Sequence, residues 1–160
     1  MREFVNWHPV YASIDLKDAT ITVAGVTAKI GTGNLTFTEH NAMEYILDRG
    51  VLDDVRKGDE APLDVRLDAV WEYIQSSTAG LADLEAAIKG TGGQTSSDTD
   101  ACRPYACDIV ITLDPTCGTP EVITLADFRW ESMDHDLRAG TISTSGKCNV
   151  TRATKSYGSV

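Results

Sequence analysis

No stretch of this 160-residue chain approaches the roughly 20 consecutive apolar residues that a membrane-spanning helix needs. The start, Met1-Arg2-Glu3-Phe4-Val5-Asn6-Trp7-His8-Pro9, holds neither the apolar core nor the small-residue cleavage site of a secretory signal, so cytosolic synthesis and folding is expected. Basic residues are scarce: 14 Lys and Arg stand against 24 Asp and Glu, a net charge of −10. That balance excludes a non-specific nucleic-acid binder, whose affinity would come from neutralising phosphates. There are three histidines, His8, His40 and His135, and none has a partner at catalytic spacing. The Asp134-His135-Asp136 triplet reads as a solvated, charged turn. Gly31-Thr32-Gly33 lacks the Gly-Lys-Ser/Thr ending and the helix of a phosphate loop. The adjacent Asp59 and Glu60 would point their carboxylates apart, which makes a poor acid–base pair. No catalytic residue, no cofactor-binding residue and no metal ligand is expected. The four cysteines, Cys102, Cys107, Cys117 and Cys148, match no paired CxxC pattern, so free thiols are expected. A Cys117–Cys148 contact is compatible with neighbouring strands. Aromatics make up 7% of the chain, and Trp7, Trp71 and Trp130 read as packing residues rather than a ligand cage.

What is present is the composition of one soluble domain, 1–160, with 42% hydrophobic and 24% charged residues. Period-two alternation dominates, the signature of strands with one covered and one wet face. It is expected over 19–23 and 26–30, joined at Ala24-Gly25, and over 34–40, with Leu35 and Phe37 inward. It is clearest over 62–74, where Leu63, Val65, Leu67, Ala69, Trp71 and Tyr73 oppose Asp64, Arg66, Asp68 and Glu72. It returns over 105–114, 121–131 and 139–151, the last after an acidic turn running from Ser132 to Gly140. One flanking helix is expected over 79–89: Thr78 as N-cap, Leu81, Leu84 and Ile88 at helical spacing, Glu85 four before Lys89, and Gly90 past the end. The segment 91–104 is a flexible loop by composition, and 150–160 is a basic tail.

Segment 41–61 has no clean period. It is too long for a neutral connector, yet Met43, Tyr45, Ile46, Leu47, Val51, Leu52 and Val55 need somewhere to bury. Charge is split along the chain: ten acids face four bases from Glu39 to Glu72, while 137–160 carries four bases and no acid. The basic tail is expected to meet the acidic segment of a neighbouring copy, unless the split is accidental.

Four strands carry a polar face. These faces hold Thr36 and Thr38; Asp64, Arg66, Asp68 and Glu72; Asp127, Arg129 and Glu131; and Ser143, Ser145, Lys147 and Asn149. The expected fold class is mainly β, a two-layer antiparallel β-sandwich or barrel with one flanking α-helix. Such a sheet leaves edges, which Pro62, Asp64 and Lys147 would protect or which another copy would pair.

Gly31-Thr32-Gly33-Asn34-Leu35-Thr36-Phe37-Thr38-Glu39, Glu44-Tyr45-Ile46-Leu47-Asp48-Arg49-Gly50 and Arg56-Lys57-Gly58-Asp59-Glu60-Ala61-Pro62-Leu63-Asp64-Val65 form an ordered pattern. Cys102-Arg103-Pro104-Tyr105-Ala106-Cys107-Asp108-Ile109, Asp127-Phe128-Arg129-Trp130 and Gly146-Lys147-Cys148-Asn149 continue it. In their order and spacing these segments resemble the tail tube (major tail) protein of tailed bacteriophages, a fold shared with the type VI secretion tube protein. The resemblance implies a ring-shaped, hexameric β-barrel tube whose rings stack into a channel for genome delivery. It implies inter-ring contacts by the 41–61 loop through Ile46, Leu47, Arg49, Val51, Leu52, Asp53, Asp54, Val55, Arg56, Lys57, Asp59 and Glu60. It implies a lumen lined by Thr36, Thr38, Asp64, Arg66, Asp68, Asp127, Arg129, Glu131, Ser143, Ser145 and Lys147. Arg66, Arg129 and Lys147 should then be neutralised by Asp64, Asp68, Asp127 or Glu131, so that DNA in transit is not held. The implied partners are further copies and other tail proteins (sheath if the tail contracts, terminator, baseplate, tape measure). No membrane and no specific nucleic-acid binding is implied, and the implied location is the virion tail after assembly in the host cytoplasm. Another virion ring component (a terminator, connector or baseplate hub) or a type VI secretion-like tube protein is the alternative within the same architecture.

Overall fold

Alternation in the sequence becomes alternation in burial. In β6 (Leu63–Val70), Leu63, Val65, Leu67 and Ala69 are buried while Asp64, Arg66, Asp68 and Val70 are not. In β7 (Cys107–Leu113), Cys107, Ile109, Ile111 and Leu113 are buried, and in β9 (Thr141–Cys148) the buried set is Ile142, Thr144, Gly146 and Cys148. The computed structural model describes residues 14–72, 83–114 and 119–157. Before β6 come β1 (Ala19–Val23), β2 (Val26–Ala28), β3 (Leu35–Thr38), β4 (Met43–Asp48) and β5 (Val51–Lys57). After it come α1 (Leu84–Lys89), β7, β8 (Glu121–Asp136), β9 and β10 (Thr154–Tyr157).

One antiparallel sheet runs in the order β2-β1-β7-β8-β9-β6-β3, with β10 added alongside β8. The 16-residue β8 joins its two halves. Up to Phe128 it pairs with β7, and from Phe128 to Asp136 it pairs with β9. Phe128, 1% exposed, stands between Cys107 and Cys148 on its neighbours, and both halves contribute to one buried cluster. Burial pushes the Cys107 and Cys148 thiols up to about 12, so both are inert at neutral pH. They and the exposed Cys102 are free thiols, while Cys117 lies outside the described residues. Helix α1 buries Leu84, Ala87 and Ile88 against β1, β2 and β8.

The sheet corrects the expectation of a barrel. Closure requires hydrogen bonds between the terminal strands, but among the described residues β2 pairs only with β1, β3 pairs only with β6, and the sheet stays open. Nor do Asp64 and Lys147 guard an edge. β6 and β9 are both interior, and the two residues face each other as cross-strand partners. Ser132–Asp136, expected in a turn, continue β8; the turn is Leu137–Gly140, where the Asp136 carboxylate accepts the Arg138 and Ala139 N–H groups at 3.0 Å each. The N-cap of α1 is Asp83, whose side chain accepts the Ala86 N–H at 2.8 Å. Thr78 and Leu81, like Trp7, His8 and Tyr73, lie outside the described residues.

Candidate assembly surfaces

Segment 41–61 is a projecting β-hairpin, here called the arm. Arg49 and Gly50 both take positive φ (50° and 81°), the turn geometry that matches the twist of a two-residue hairpin. Tyr45 pairs with Val55 and Leu47 with Leu52, so these four side chains and Met43 share one face. The other face carries Glu44 opposite Arg56, joined by two hydrogen bonds at 2.7 and 3.0 Å, with Ile46, Asp48, Val51 and Asp54. A register shift between Ile46 and Leu47 leaves Asp53 without a cross-strand partner. Every residue of β4 and β5 is exposed, including Tyr45 at 64% and Leu52 at 69%. An isolated two-stranded ribbon is marginal in water, and a contiguous exposed apolar face marks an interaction surface. Ile46 to Lys57 of the expected contact set thus lie on the arm, and Asp59 and Glu60 lie at its root.

The second surface is the wet face of the β8–β9–β6–β3 half. Its rows follow from the register: Thr38–Asp64–Lys147, Thr36–Arg66–Ser145–Ser132 and Asp68–Ser143–Asp134. A shallow depression of about 260 Å³ is lined by Thr36, Thr38, Asp64, Arg66, Glu131, Ser145 and Lys147, among others. Arg66 lies 3.5 Å from Asp68 and from the Ser143 hydroxyl, which itself donates to Asp68. Lys147 lies 3.8 Å from Asp64. Those two cations are therefore paired by carboxylates of the same face.

Asp127 and Arg129 behave differently. Asp127 takes φ +55° at an irregularity in β8 and accepts the Ser97 hydroxyl at 2.8 Å. Arg129 donates to the Pro104 carbonyl at 3.1 Å and to Asp98 at 2.7 Å, so its charge is met by Asp98 rather than by Asp127 or Glu131. Ser132 and Asp134 reach the wet face only because the β8–β9 register shifts between Trp130 and Ser132; strict alternation from Arg129 would have placed them on the covered face.

His40 is a further residue that the sequence left isolated. Its Nε2 lies 2.6 Å from Asp64 Oδ2, at the point where the chain leaves β3 for the arm. The His40 hydrogen bond, aided by Lys147, holds the Asp64 carboxyl below the usual carboxylate range. The basic tail meets acid within its own chain: Asp59, Glu60, Thr151 and Arg152 line one cleft, and Glu39 accepts the Ala153 N–H at 3.4 Å. Among the described residues no group of three or more His, Cys, Asp or Glu side chains is placed to hold a metal ion.

No family model and no curated protein sequence matches the chain. Among solved structures, the chain is similar to one described as the sheath/tube terminator, in the extended state, of PVC, an extracellular contractile injection system. The two share 10% identity with a TM-score of 0.56, over 92% of this chain and 99% of the other. At that identity the likeness lies in the fold: a mainly β chain with one flanking helix, shared with a tube-terminator component.

Proposed function

We propose that this chain is a non-catalytic structural subunit of a contractile tail or injection tube, of the terminator type, that associates with copies of itself and with neighbouring tube proteins through the arm. The carrying observation is the arm, on which Met43, Tyr45, Leu47, Leu52 and Val55 form one exposed apolar face, whereas Ile14, Leu16, Trp130, Leu137 and Tyr157 are exposed elsewhere on the chain. The fold likeness to a sheath/tube terminator supports the same role. Surface ion pairs contribute only about 0–1 kcal/mol each, so the apolar face supplies most of the affinity, and Arg49, Asp53, Asp54 and Lys57 set register.

A second reading, the repeating subunit of a phage tail tube, is favoured by the wet face. Hydroxyls and carboxylates predominate there, and its Arg66 and Lys147 are paired, so a passing polyanion finds few free cations to bind. Under that reading the wet face lines the channel and the particle is a virion tail. The two readings differ in extent of assembly: a terminator stops after one layer of copies, and a tube subunit stacks.

The test is sedimentation and negative-stain microscopy of the purified chain beside Tyr45→Asp/Leu52→Asp. Assemblies of the wild type that vanish in the variant, whose melting temperature is unchanged, are expected. A wild type that stays monomeric at high concentration, or a variant that assembles equally well, would overturn the proposal.

A further inference from the structure

All residues of β4 and β5 are exposed, and among the described residues the ties that fix the arm's direction lie at its root. Resting on the arm assignment above, we infer that His40 is the positioning residue of the arm, clamping its root to the wet face through Asp64.

Asp64 pairs in register with Thr38, the last residue of β3. His40 lies two residues further on, hence on the same face, and its ring nitrogen reaches back to the carboxylate at 2.6 Å. The bond joins residues 24 apart, one on each side of the arm, and so closes the base of the whole excursion. Lys147 of β9, 3.8 Å from the second carboxylate oxygen, ties that anchor to the neighbouring strand. Just beyond the clamp, the Gly58 N–H donates to the Ala42 carbonyl at 2.9 Å. A side chain at Gly58 would stand 3.2 Å from the Ala42 methyl, so the two crossings lie close together.

Both partners are nearly half exposed, His40 at 41% and Asp64 at 44%. Their pair therefore adds little to folding stability; its effect is geometric. A hairpin of six to seven residues per strand is about 20 Å long, so a tilt of about 15° at its root carries the tip through about 5 Å. Close-packed apolar contacts do not survive a displacement of that size.

The experiment compares His40→Ala and His40→Gln with wild type; the Gln amide keeps a donor for Asp64. Three readouts are taken: melting temperature, amide exchange at Gly58 by NMR, and the protein concentration at which assembly begins. His40→Ala is expected to melt with wild type, to exchange Gly58 about threefold faster or more, and to raise the assembly concentration about tenfold. His40→Gln is expected to restore both. Unchanged Gly58 exchange in His40→Ala, or a His40→Gln that falls as far as His40→Ala, overturns the clamp. Normal assembly by Tyr45→Asp/Leu52→Asp overturns the arm assignment instead, and Gly58 exchange still decides the clamp.

Discussion

Gly146 looks in the sequence like one more small residue on the covered face of β9, yet its reason for being glycine is a neighbour's backbone. A Cβ built there would stand 2.1 Å from the Arg129 carbonyl oxygen and 2.9 Å from the Phe128 ring. Gly146 pairs with Trp130 at the place where the β8–β9 register shifts before Ser132, so the two backbones approach more closely than side chains allow. The obstacle is main chain, which cannot rotate away. Gly146→Ala is expected to destabilise the fold by about 2 kcal/mol or more, which in a domain of this size lowers the melting temperature by about 4–8 °C. Calorimetry of the purified variant checks this; an unchanged melting temperature would mean that β8 and β9 sit further apart. Gly25, with nothing within 4 Å of its added Cβ, has a different reason: φ +82° in the β1–β2 turn.

At the scale of elements, the segment before β7 shows how much long-range bonding a polar sequence conceals. Ser96 accepts the Asp98 and Ala106 N–H groups, Ser97 donates to Asp127, and Asp98 binds Arg129 and Arg103. The Asp100 N–H and the Arg129 guanidinium hold the Asp98 carboxyl below its ordinary value, and its side chain is only 8% exposed. A carboxyl whose folded pKa is depressed stabilises the fold above its unfolded value, near 4, and loses that contribution as pH falls through the folded value. Glu85, lowered chiefly by its hydrogen bond from Lys89, has the same sign. Asp98→Asn should therefore lower the urea midpoint at pH 7, and the gap to wild type should close as pH falls below about 4. A gap independent of pH would assign the loss to packing rather than charge.

The same contrast explains which elements the sequence reveals. β6, β7 and β9 are legible because one face meets the core and the other meets water. The far half of β8 is not: the core-side His135 and Trp130 meet Trp71, Glu85 and Lys89 rather than an apolar layer, so Ser132–Asp136 read as a turn. The arm hides its period because the register shift at Ile46/Leu47 breaks alternation in mid-strand. All four residues of β10 are exposed and supply no apolar signal. Of the wet face, the alternating polar residues of β3, β6 and β9 are legible, whereas Ser132 and Asp134 need the register shift in β8, and the His40–Asp64 clamp depends on a fold that joins positions 24 apart.

For the whole molecule, two forces bear on association, and salt separates them. Each copy carries a net charge of −10, so copies repel at low ionic strength. The acidic root of the arm and Arg152 of the tail line one cleft within a single chain. The arm offers an apolar face, whose burial salt does not weaken. Raising NaCl from 0.1 M to 1 M shortens the screening length from about 10 Å to about 3 Å and removes most of the repulsion while leaving apolar contact intact. Assembly is therefore expected to begin at lower protein concentration in high salt, as followed by sedimentation velocity across the series. Dissociation on adding salt would show that opposite charges, Arg152 and Lys155 of one copy against Asp59 and Glu60 of another, hold the copies together and that the arm's apolar face is secondary.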